Sequence, residues 1–148
     1  MALRVEQIMV AVLANLTGLA TTGANVFRGR VYGLQDTEVP ALTIYQGADT
    51  PLGDYGLENY AFIDSELTIK VTAHVKTADQ AETELNKIRR EVHVALMADY
   101  QQGLSFVITT IPQGATEPLL LSDGETPTAT MDMYWRVQYR SSQTDPGA

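Results

Sequence analysis

Between residues 66 and 76 the chain alternates without a break. Leu67, Ile69, Val71, Ala73 and Val75 are apolar, while Glu66, Thr68, Lys70, Thr72, His74 and Lys76 are polar. A strand turns successive side chains to opposite faces, so this pattern describes a strand with one buried side and one wetter side. Any fold for this chain has to cover the first side and leave the second near water. A second segment, residues 129–140, repeats the theme with Met131, Met133, Trp135, Val137 and Tyr139 on one face.

Two segments have the helical period instead. In residues 3–16, Val5, Ile8, Met9, Val12, Leu13 and Leu16 form one stripe, which Gly18 and Thr21-Thr22-Gly23 bring to an end. In residues 78–99 the stripe is Ala81, Leu85, Ile88, Val92 and Leu96, with Glu82, Glu84, Lys87, Arg90 and Glu91 on the solvated side. Thr77 or Asp79 is expected to cap this helix, with Gln80 completing a capping box from Thr77. Further strands are expected at residues 26–34, 41–46 and 104–111. Pro40 has no N–H to give a ladder, so it belongs at a strand start or on an edge.

Residues 47–62 and 112–127 read as long loops. The first carries Gly47, Asp49, Pro51, Gly53, Asp54 and Gly56, and loops of that length in compact domains are usually functional. Residues 141–148 read as a frayed tail. The order α-β-β-loop-β-α-β-β predicts an α+β fold: a mixed, mainly antiparallel sheet with two helices packed on one face. With 148 residues and 45% hydrophobic content, one domain is expected over the whole chain.

Composition narrows the chemistry. There is no cysteine, so disulfides, thiolate metal sites and a cysteine nucleophile are excluded. Eighteen acidic against ten basic residues give a net charge of −8, which disfavours a groove-reading nucleic-acid binder. No apolar run reaches the length of a secretion signal or a membrane span. Asn15-Leu16-Thr17 matches a glycosylation sequon but falls inside the first helical segment.

No catalytic signature emerges. His74 belongs to the polar side of its strand and His93 sits beside the second helical stripe, with no metal-ligand spacing between them. Gly103-Leu104-Ser105-Phe106-Val107 begins like a nucleophile elbow but lacks its closing glycine. The loop acids Asp36 and Glu38, Asp49, Asp54 and Glu58, and Asp123 and Glu125 do not follow a calcium-loop pattern. The chain is therefore expected to be a non-enzyme without metal or cofactor. Asp49, Asp54 and Glu58 are candidates for an acidic loop surface that copies of the chain present together. Tyr55 and Tyr60 are candidates for an assembly interface, because tyrosine favours such surfaces.

Several segments together resemble a known family. Thr21-Thr22-Gly23-Ala24-Asn25-Val26-Phe27 runs into Arg30-Val31-Tyr32, followed by Val39-Pro40-Ala41-Leu42 and Ile44-Tyr45. Ile88-Arg89-Arg90-Glu91-Val92 and Trp135-Arg136-Val137-Gln138-Tyr139 complete the set. The chain resembles the tail terminator proteins of long-tailed, siphovirus-type bacteriophages. The resemblance implies a hexameric ring in the virion tail, assembled in the host cytoplasm. Such a ring caps the tail tube, stops its polymerisation and forms the head-joining surface. Implied partners are further copies of the chain, the tail tube protein and the head–tail connector protein, with DNA passing through unbound and no membrane involved. The acids Asp49, Asp54 and Glu58 would then suit a lumen. The alternatives are a head–tail connector or neck subunit and, from another class, a small metal-dependent hydrolase using the loop carboxylates.

Overall fold

A computed structural model of the chain describes residues 2–53, 61–77, 79–121 and 127–148. These residues form two α-helices and a six-stranded sheet, α1 (Arg4–Leu16), β1 (Val26–Arg28), β2 (Ala41–Pro51), β3 (Phe62–Lys76), α2 (Ala81–Met97), β4 (Val107–Ala115), β5 (Leu119–Leu121) and β6 (Thr128–Ser142), with a 3₁₀ turn at Asp36–Glu38. The fold is α+β, and its sheet is mixed and mostly antiparallel. The strand order is β1-β2-β3-β6-β4, with β5 pairing the same edge of β6 beyond β4. Only β1 runs parallel to its neighbour, β2.

The alternating strand and the closing strand make the centre of the sheet. β3 and β6 pair from Phe62 opposite Ser142 to Lys76 opposite Thr128 without a register shift. Leu67 therefore stands opposite Val137, Ile69 opposite Trp135, Val71 opposite Met133 and Ala73 opposite Met131. All eight are buried. The helical stripes Val5, Ile8, Met9, Val12 and Leu16 and Leu85, Ile88, Val92 and Leu96 join these side chains in one apolar cluster. The even-numbered face of β3 and β6 carries a polar ladder instead. Glu66 accepts from Arg136 at 2.9 Å and from Gln138 at 3.1 Å, and Thr72 donates to Asp132 at 2.7 Å.

Several sequence expectations need correction. The first strand stops at Arg28, because the segment behind it turns back on itself: Arg30 pairs with Glu38 and donates to the Tyr32 carbonyl at 3.2 Å. The 47–62 segment is not a loop throughout, since β2 runs on to Pro51 and β3 begins at Phe62. Most of the second expected loop's flanks are strand as well, in β4 and β5. Pro112 sits within β4, which proline tolerates because β4 is an edge strand. Pro40 stands directly before β2, at a strand start as expected.

The helix cap was also misassigned. Thr77 Oγ1 accepts from Asp79 N–H at 3.2 Å and so closes a turn ahead of α2, while the N-cap of the helix is Gln80, in the left-handed region at φ 58°. Residues 141–148 make contacts with the rest of the chain. Ser141 and Gly147 are buried, Pro146 accepts from the Arg4 N–H at 3.1 Å, and the Gln143 N–H donates to Ala61 at 3.2 Å. The start of α1 and the last residues of the chain thus hold each other.

Candidate assembly surfaces

The outer half of β2, paired on one side to β3, is the part of the β2–β3 hairpin that leaves the core. Ala41, Leu42, Thr43 and Ile44 are buried, whereas every residue from Gln46 to Pro51 is exposed. A bulge marks the change. Gln46 is opposite Ile69 and Asp49 is opposite Leu67, so Gly47 and Ala48 together face the single residue Thr68. An extra residue shifts the strand by one position and exchanges its faces. Gly47 is required there by proximity, because a Cβ would lie 2.8 Å from the Thr68 carbonyl oxygen.

The exchange puts Asp49 where it can reach the buried Tyr139 on β6. The Tyr139 hydroxyl lies 2.8 Å from each carboxylate oxygen of Asp49 and donates to this carboxylate. Burial, then the Asp49 carboxylate, pushes the Tyr139 pKa well above the ordinary phenol value. The hydroxyl therefore stays protonated and remains a donor. Asp49 is itself exposed as a residue, yet both its oxygens are engaged in anchoring the hairpin to the sheet. Tyr55, Tyr60, Asp54 and Glu58 lie outside the described residues, as do Asp123 and Glu125.

Two further exposed patches lie at the sheet edges. At one, Leu119, Leu120 and Leu121 of β5 are 56%, 58% and 42% exposed, on a strand whose other edge has no partner among the described residues. Exposed apolar edges invite pairing with another chain. At the opposite side, Val31 and Tyr32 follow β1 and are almost fully exposed. The leucine run was visible in the sequence as three consecutive apolar residues. The exposure of Val31 and Tyr32 was not, because the segment was read as strand.

The two histidines take separate places. His74 is half-buried on the polar face, where its Nε2 and Thr43 Oγ1 are 2.9 Å apart. His93 is exposed, with its ring 5.5 Å from that of Trp135. Among the described residues no three His, Asp or Glu side chains are grouped so as to hold a metal ion, and no helix is long and apolar enough to cross a membrane. No protein-family model and no curated protein matches the chain.

Proposed function

We propose that the chain is a structural assembly subunit of the tail terminator kind: a ring former that caps a tail tube, ends its growth and receives the head connector. The observation that carries this reading is the β2–β3 hairpin. Its outer half is exposed at every residue of β2 beyond the bulge, yet Asp49 and Tyr139 tether it to the sheet. An exposed strand edge tethered in this way suits a surface that must meet a neighbour in one orientation. The exposed apolar edge at Leu119–Leu121 gives a second contact on the far side of the sheet, as a head-to-tail ring requires. The net charge of −8 suits a passage through which DNA slides without adhering.

The test replaces Thr50 and Leu52, both exposed beyond the bulge, by lysine, leaving Asp49, Tyr139 and the bulge intact. The thermal midpoint should stay nearly unchanged, since substitutions at exposed positions usually shift stability by no more than about 0.5 kcal/mol. In phage assembly the variant should give overlong tails without heads, counted by electron microscopy. Tails of normal length that fail to join heads would favour a neck subunit instead. Normal length together with normal joining would remove the outer half of β2 from the assembly surface.

A further inference from the structure

A cavity of about 660 Å³ opens where the start of α1, the turn before β4 and the outer ends of β3 and β6 meet. Its lining includes Arg4, Phe62, Asp64, Phe106, Ile108 and Arg140. Asp64 and Arg140 are already engaged with each other, through bonds of 2.7 and 3.1 Å. Arg4 is different. Its guanidinium lies 4.2 Å over the Phe106 ring, and its Nη1 donates to the Arg140 carbonyl at 2.8 Å. Its Nε is shut off from solvent with no acceptor.

The other half-buried arginines among the described residues each have a carboxylate: Arg28 has Glu6, Arg30 has Glu38 and Arg136 has Glu66. Arg4 has none among the described residues, in a chain with eighteen acidic residues to ten basic. A partly desolvated guanidinium without a counter-charge is costly. Arg4 is also the first residue of α1, where the helix dipole adds to its positive potential and where no side chain caps the helix. Apolar side chains share the rest of the lining with the uncharged Gln101, Ser105 and Ser141: Phe62 and Ile108 are 57% and 41% exposed, and Phe106 is half-buried.

We propose that this cavity binds a carboxylate carried on an apolar stem, with Arg4 holding the carboxylate and Phe62, Phe106 and Ile108 receiving the stem. The planar fork of a guanidinium matches the two oxygens of a carboxylate, and a stacked ring holds that fork in place. Such a group can come from a free organic acid or from an acidic side chain with apolar neighbours on a second copy of this chain. The proposal does not depend on the assembly role.

The experiment titrates the full chain with 3-phenylpropionate and with its uncharged counterpart 3-phenylpropan-1-ol, followed by NMR of the backbone amides and the arginine Nε–H groups. The acid should give saturable shifts at Arg4, Phe106 and Ile108, and the alcohol should bind roughly tenfold more weakly, the loss expected from one charge-assisted contact. Arg4→Gln should weaken the acid by a similar factor. Ser105→Glu, an exposed lining position that leaves the fold alone, should weaken it too by setting a competing carboxylate at the site. Sedimentation over a concentration series separates the sources. Self-association reversed by 3-phenylpropionate assigns the site to a second copy, and an unchanged mass with binding intact assigns it to a free acid. No saturable shift up to about 50 mM (a bound weaker than millimolar affinity), or equal binding of acid and alcohol, overturns the proposal.

Discussion

At the scale of single residues, the polar groups inside the fold carry more of the design than their number suggests. Gln102 is buried, and its side chain accepts from Asn15 at 2.7 Å and donates to the Leu96 carbonyl at 2.7 Å and to Thr110 at 3.1 Å. One amide thereby ties α1, the end of α2 and β4 together, and nothing in the sequence marks it apart from other glutamines. His74 makes a testable case. Burial pushes its pKa below the ordinary 6.5, against a smaller upward pull from Asp132. The folded chain thus prefers the neutral ring, and the unfolded chain takes up the proton first as pH falls. The contribution of His74 is complete above about pH 6.5 and is lost as pH falls through that value towards the folded pKa. The wild-type thermal midpoint should therefore drop between about pH 7 and about pH 5, and His74→Gln should flatten that drop. An equal drop in both proteins would place its cause elsewhere. Glu6, Glu38 and Asp64, whose pKa values are held down chiefly by bonds from Arg28, Arg30 and Arg140, act in a lower window. Their contribution is present above their unfolded values and lost only as pH falls below them.

At the scale of elements, Leu85 tests the second helical stripe. It is fully buried in the common cluster, so Leu85→Ala should cost about 2–5 kcal/mol in chemical denaturation. A cost below about 0.5 kcal/mol, the range of an ordinary surface change, would contradict that packing. This stripe and the alternation in β3 and β6 were legible because each is long and strictly periodic. The hairpin was not. Gly47, Asp49 and Pro51 are turn-formers by composition, yet a bulge uses the glycine for close approach and the aspartate for an anchor. A bulge breaks the period that identifies a strand, so the extension of β2 was hidden by the feature that gives it its use. β4 was blurred for the same reason, with register shifts between Val107 and Thr109 and between Pro112 and Ala115. The cavity at Arg4 was beyond reach for another reason, since it gathers residues from both ends of the chain and from the middle.

At the scale of the whole molecule, the assembly reading predicts closure. Native mass spectrometry at high concentration, with tail tube protein present, should give a single ring species of six copies, whereas the free chain is free to stay monomeric. A stable two-fold dimer under both conditions would contradict a ring, because a dimer of that symmetry satisfies its contacts with itself and stops. The sheet itself was predictable in class, because strands joined without helices mostly pair antiparallel, although β1 and β2, with only a 3₁₀ turn between them, pair parallel. Its order was not, as the closing strand inserts between β3 and β4. That insertion has a kinetic consequence. The two central strands are 52 residues apart at their near ends, Lys76 and Thr128, and 80 apart at their far ends, Phe62 and Ser142. As the chain leaves the ribosome, β3 must wait for all the intervening elements before its partner exists. Distant pairing of this kind pays its loop entropy before any ladder bond repays it, which slows refolding relative to a helical bundle of equal size. Through that interval the apolar face of β3 has only α1 and then α2 to cover it, and β2 alone is paired beside it, making the half-made chain the stage at which aggregation competes with folding.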